Sequence, residues 1–345
     1  MHKEDTVSEA IKTISLKQRV VGKCYNITDS IEDCRLLVTT FALLILLITI
    51  FGILSPRFFT LMTMTNILNR TSIYVILAVG MTLILTTGSI DISIGSQIGL
   101  VTAVLGLTIS QAGVPAWAGI GIAVLLGAVL GSFNGFLISK IKVPAIITTL
   151  GTITFYRGLA YFASGGTVFM NFPDSYVFLG QGRVFFGLIP VPVIIAAVVV
   201  TWGHLFLKKT KRGAHIIATG GNVDAAKLSG INVAYSKFIV FLIMGVMAAL
   251  AAIVMTARIS AAQSVMGEGM EIHTISAVVL GGTSLFGGKA TILGSVIGAV
   301  VLGVLETGLL LVRVSSFWQL VFMGMIFILV VTLRTYFEMK SVTTR

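Results

Sequence analysis

The stretch Thr283-Ser-Leu-Phe-Gly-Gly-Lys-Ala-Thr291 sets glycines and a lysine in nearly the order that cradles a nucleotide phosphate. Such a loop wraps backbone N–H groups around the anion, and the pattern requires glycine at 283 and a hydroxyl side chain at 290. Thr283 and Ala290 occupy those positions, so the match fails, and no such loop occurs elsewhere in the chain. His2, His204, His215 and His273 are scattered without metal-ligand or triad spacing, and Cys24 and Cys34 both precede the first apolar run. The chain therefore reads as non-enzymatic, with no catalytic residue, no metal site and no cofactor of its own.

The ionisable side chains read in or beside the apolar runs are few: Asp91, Arg157, Arg258, Glu268, Glu271, Glu306 and Arg313. A charge at the centre of a bilayer costs about 3 kcal/mol, so each needs a cavity, a partner or an interface. Arg157, Arg258 and Arg313 read as interfacial anchors whose long side chains snorkel. Asp91 is too short for that and lies between two glycines in "TTGSIDISIGS", residues 86–96, where the amides of Ser93 and Ile94 could cap it. A capping role and a contact with cargo remain equal readings there. Glu306, with Gly303 and Gly308 nearby, reads as a structural hydrogen-bonding group. Ion-coupled transporters gather several membrane carboxylates at one site. With only Asp91 and Glu306 eligible, the driving energy should enter from outside the bilayer. Asp91, Ser93, Asn134, Thr148, Thr149 and Tyr156 are candidates for a translocation path. Hydrogen bonds between helices, worth about 0.6 kcal/mol each, explain Asn134, Thr148, Thr149 and Tyr156 equally well.

The elements that must position these groups are membrane helices. A chain with 56% hydrophobic and 11% charged residues and a mean hydropathy of +1.02 is not a soluble domain. The expected fold is all-α and polytopic. Ten spans are expected: Leu36 to Leu54, Asn66 to Thr87, Ile92 to Gln111, Ala116 to Ser139, Pro144 to Phe162, Gly187 to Leu207, Phe238 to Ala257, Ile272 to Phe286, Ala290 to Val312 and Phe317 to Leu333. Residues 1–35 form an N-terminal tail, 36–334 the membrane domain with a polar loop at 208–237, and 335–345 a C-terminal tail. The first span reads as a retained signal anchor. The net charge of +11 sits mainly in the first tail and the 208–237 loop, which suggests the cytoplasmic side of a membrane rather than a nucleic-acid partner. Both termini should then be cytoplasmic. Gly127, Gly131 and Gly135, Gly95 with Gly99, and Gly294 with Gly298 predict closely packed helix faces. Two segments, 86–96 and 279–291, break the helical pattern, and their positions early in each half suggest a duplicated five-span unit.

Inside the polar loop, Asn222 is a helix N-cap, Asp224 favours the positive end of the helix dipole, and Gly230 sits where a C-terminal cap belongs. A helix of about two turns is only marginal alone, so it must pack against something, unless the loop is simply solvated. Gly213, Ala218, Gly220, Gly221, Asn222, Ala225, Ala226, Ser229, Gly230 and Ile231 resemble the cytoplasmic loop of the membrane permeases of bacterial ribose, xylose and galactoside ABC importers. "GSIDISIGS" (88–96), "NGFLISKIKVPAIITTLGT" (134–152) and "AVVLGGTSLFGGKATILGSVIGA" (277–299) resemble further signatures of that family, and the similarity runs from about Leu36 onward. Ser89 stands where the family more often has glycine.

The resemblance implies a multi-pass protein of the bacterial inner membrane, paired with a second permease copy or paralogue. It implies cytoplasmic ATPase subunits that use ATP and Mg, and an extracytoplasmic sugar-binding protein. The residues from Gly213 to Gly230 would then couple the ATPase to the spans, while membrane lipid surrounds the rest. Cargo would be a small neutral sugar or polyol, or the furanose-like signalling molecule that some members import. An ion-coupled secondary transporter and a non-transporting scaffold are the alternative readings. On the coupling reading, Gly221→Pro or Ala226→Trp should abolish ATP-driven uptake, measured in vesicles, while leaving the protein in the membrane.

Overall fold

The computed structural model describes residues 38–343, so Cys24, Cys34 and the N-terminal tail lie outside the described residues. The chain is mostly helical. It runs through α1 (Val38–Leu54), α2 (Leu61–Thr86), α3 (Ile94–Leu105, prolonged by a π-turn at Gly106–Gln111), α4 (Ala116–Ser139) and α5 (Ala145–Ser164). There follow α6 (Asp174–Gln181), α7 (Val191–Lys209), α8 (Lys211–Gly221), α9 (Val223–Leu228) and α10 (Val233–Ile259). The chain ends with α11 (Met270–Leu280), α12 (Ile292–Leu311) and α13 (Ser316–Thr343). Four two-residue strands join loops: β1 (Phe169–Met170) pairs antiparallel with β4 (Ala261–Ala262), and β2 (Arg183–Val184) pairs antiparallel with β3 (Ile189–Pro190).

Among the described residues six helices are long and apolar enough to cross a membrane: α2, α3 with its π-turn, α4, α7, α10 and α12. α1, α11 and the Ser316–Leu329 part of α13 are shorter apolar helices. α5 has 20 residues, but its threonines, tyrosines and Arg157 dilute its hydropathy. The span expected from Ile272 to Phe286 is instead a helix that stops at Leu280. Gly281 caps it, and Gly282 takes φ +96°, a left-handed conformation that favours glycine and ends the helix.

The glycine repeats do what close packing needs. α4 and α10 run antiparallel, and a Cβ on Gly127 would overlap the Gly245 carbonyl oxygen while a Cβ on Gly245 would overlap the Gly127 carbonyl oxygen. Gly131 and Gly135 face Phe241 and Phe238 in the same register. Gly294 and Gly298 similarly face the carbonyls of Gly281 and Ala277, locking α12 onto α11, while Gly95 and Gly99 admit the carbonyls of Gly267 and Ser264. Polar cross-links add to this: Thr82 Oγ1 on α2 donates to Ser295 Oγ on α12 at 2.8 Å. At the other end of α10, Tyr176 on α6 bonds Thr256 and the Ile253 carbonyl, and a Cβ on Gly180 would overlap the backbone of Arg258.

Gly245→Val should therefore shorten the thermal half-life of the detergent-purified protein, since overpacking a closed interface costs about 1–3 kcal/mol. Gly121→Val, where an added Cβ meets nothing within 4 Å, should leave it unchanged.

Candidate functional site

The polar loop folds as two helices set end to end, where a single short helix was expected. Thr210 starts α8 by accepting the Gly213 N–H at 3.0 Å. Gly213, Ile216 and Thr219, spaced three apart, form its buried face. Gly213 lets α8 fold back on the end of α7, because a Cβ there would overlap the carbonyls of Phe206 and Leu207. Asn222 is the hinge: its N–H caps α8 on the Ala218 carbonyl at 3.2 Å, and its Oδ1 accepts the N–H groups of Asp224 and Ala225 at 3.0 and 2.9 Å to start α9. Ser229 Oγ donates to the Ala225 carbonyl at 2.9 Å, and Gly230, at φ +78°, closes the helix by donating to Lys227 O at 2.9 Å. The caps expected at Asn222 and Gly230 are both present.

Ala226, 3% exposed, is the buried residue of α9, whereas Leu228 is 91% exposed. Leu228 therefore stands away from the protein on a short capped helix.

A second constellation gathers four of the expected path residues. Asp91 is fully buried; its Oδ1 accepts the Ser93 N–H at 2.8 Å and the Ser93 hydroxyl at 2.6 Å, and its Oδ2 accepts from Gln97 Nε2 at 3.2 Å. Asn134 Nδ2 on α4 donates to Ser93 Oγ at 2.9 Å, and Tyr156 on α5 donates to Asn134 Oδ1 at 3.0 Å and to the Leu130 carbonyl at 2.9 Å. The network thus knits the start of α3 to α4 and α5. Thr148 and Thr149 stand apart from it: Thr149 bonds the Ala145 carbonyl of its own helix at 2.9 Å, and the buried Thr148 hydroxyl has no partner among the described residues.

A third cluster was missed in part. Tyr74 donates to both Glu306 oxygens at 2.7 and 2.9 Å, Arg70 Nη1 lies 3.2 Å from Glu306, and His273 Nδ1 lies 3.1 Å from it. The structural role expected of Glu306 fits this arrangement, since the cluster joins α2, α11 and α12. Arg70 is the fifth residue of the span expected from Asn66 to Thr87, and that charge was the overlooked signal. Arg157 also departs from expectation: it donates to the carbonyls of Ser264 and Met266, into the protein, rather than snorkelling. Arg313, two residues beyond the end of α12, is exposed. Among the described residues no group of three or more His, Cys, Asp or Glu side chains could hold a metal.

A bundle of apolar helices with two glycine-bearing breaks and a capped polar loop has the construction of a membrane transport subunit. The chain belongs to the family described as the branched-chain amino acid transport system / permease component, whose model matches residues 63–331. It is 37% identical over 322 residues to the ribose import permease protein of Haemophilus influenzae, covering 92% of this chain and 99% of that one. It is 41% identical to the ribose import permease protein of Escherichia coli K12, covering 84% and 90%. The autoinducer 2 import system permease protein of Photorhabdus laumondii is 35% identical, covering 80% and 83%. No solved structure matches.

Tyr74→Phe removes one hydroxyl donated to a charged group, and should lower stability by about 1.5–3 kcal/mol in denaturant unfolding of the purified protein.

Proposed function

We propose that this chain is the membrane permease of an ATP-driven sugar importer of the bacterial inner membrane, and that α8–α9 is where an ATPase grips it. The observation carrying this reading is the α8–α9 pair, capped at Thr210, Asn222 and Gly230, anchored by Ala226 and presenting Leu228 outward. An element so ordered, on a chain with no phosphate loop of its own, fits force delivered by a second polypeptide that hydrolyses ATP with Mg.

In this reading α1, α2, α3, α4, α5, α7, α10, α11, α12 and α13 make ten crossings. α11, about 16 Å long at 1.5 Å per residue, is completed by the buried glycine turn that follows it. The basic residues flanking α8 then put α8–α9 and both termini on the cytoplasmic side. A second permease copy or paralogue completes the translocation path, and an extracytoplasmic binding protein delivers a pentose, hexose or related neutral polyol. The names of the ribose and autoinducer 2 permeases support that cargo class, as do the Ser, Thr, Asn and Gln side chains of the spans. Asp91, Ser93, Asn134 and Tyr156 would act on the path as one unit, since they share a network.

The test is uptake by proteoliposomes holding the chain with its ATPase and binding protein, offered a panel of sugars including ribose. Accumulation that requires ATP is expected. Uphill transport by the chain alone, or uptake that survives ATP removal and collapses with an ion gradient, would overturn the reading in favour of ion coupling. Asn222→Ala removes the cap of α9, worth about 1 kcal/mol, and should weaken ATPase binding roughly fivefold in a titration of the detergent-purified subunits.

A further inference from the structure

We infer that Gly220 joins the α8–α9 pair directly to both broken segments, so that three glycine-bearing backbones form one mechanical node through which coupling reaches α2–α3 and α11–α12 together. This deepens the reading of α8–α9 as the ATPase grip and rests on it.

The node is built from backbone alone. Gly288 N–H donates to the Thr86 carbonyl at 3.0 Å, tying the turn after α11 to the end of α2. Gly220 wedges against both: a Cβ there would overlap the Thr86 carbonyl oxygen and lie 2.6 Å from Gly288 N. A Cβ on Gly287 would lie 2.8 Å from the Gly220 carbonyl oxygen and 3.0 Å from Gly88 N, and one on Gly288 would lie 2.8 Å from Gly221 Cα. Gly88, Gly287 and Gly288 all have positive φ, at +69°, +93° and +77°, so glycine is required for conformation as well as for space. By contrast, a Cβ on Gly221 or Gly230 would meet nothing within 4 Å.

Backbone in direct contact has no rotamer through which to yield. Packed interfaces respond to a push as bodies rather than by continuous deformation. When α8 shifts, the end of α2 and the turn before α12 must shift with it. Those two segments join α2 to α3 and α11 to α12, so a shift there is passed to both pairs of helices. One loop thus addresses both halves of the chain, with no chain of side chains between.

The experiment uses the assembled transporter in proteoliposomes and measures sugar uptake and ATP hydrolysis together. Wild-type uptake that needs no ATP would sink the underlying reading; the node is tested where wild-type uptake does need ATP. Gly220→Ala and Gly287→Ala should assemble and hydrolyse ATP while uptake per ATP falls about tenfold, because the added methyl must force the three segments apart. Gly121→Ala, open and distant, serves as the matched control and should behave as wild type. An unchanged uptake per ATP in either node variant overturns the inference. If neither variant assembles, nitroxide labels decide it in a chain whose Cys24 and Cys34 are serine: at the exposed positions Ala214 and Phe286 they should keep one separation with and without ATP. A separation that changes on ATP binding overturns the node.

Discussion

A helix that stops inside a bilayer leaves carbonyl and N–H groups that no water can reach, each costing several kcal/mol if unpaired. Both breaks in this chain lie against α8, with Gly88 and Phe286 exposed, and their backbone groups are nevertheless paired in the same way. α2 ends by tightening, with Thr87 N–H bonded to Ile84 O and Gly88 N–H to Leu85 O, and the Thr86 carbonyl is taken up by Gly288 from the other break. α11 ends in the same way, with Gly281 bonded to Ala277 and Gly282 to Val279. Each interruption is tolerated because it is satisfied locally or by its counterpart, and glycine is what lets the two come close enough.

Asp91 belongs to the same economy of polar groups. A carboxylate with no cation among its hydrogen-bond partners is an expensive thing to bury, and here three donors surround it. The outcome is a positioned start for α3, carried onward by Ser93, Asn134 and Tyr156 into two further helices. Glu306 is handled differently: it meets a guanidinium, a phenol and an imidazole, and so pins three helices where their apolar faces alone would leave register to packing.

Much of this was legible in the residues. The runs without charge gave the helices, the four-residue glycine spacings gave the faces that touch, and Asn222 and Gly230 marked the ends of α9 because capping chemistry is local. What escaped was either long-range or against propensity. Tyr74 and Glu306 are 232 positions apart, and no spacing rule joins them. α8 carries Gly213, Gly220 and Gly221, which disfavour helix, yet contacts with α7, α2 and α10 hold it helical. α6 was hidden in what looked like a plain connecting loop because its eight residues are too few for a periodic pattern to stand out. The end of α11 was placed six residues late, since Phe286 and Leu285 extend the apolar run while the backbone has already turned at Gly282.

The 27 residues of α10 form an unbroken rod of about 40 Å. Its first turn follows α9 across the Asn232 cap, and its last is clasped by α6 through Tyr176 and Gly180. A stiff shaft with a fitting at each tip cannot rock at one without swinging the other. A displacement of α10 at the α9 end is therefore carried along its length to α6, and a displacement at α6 back to α9.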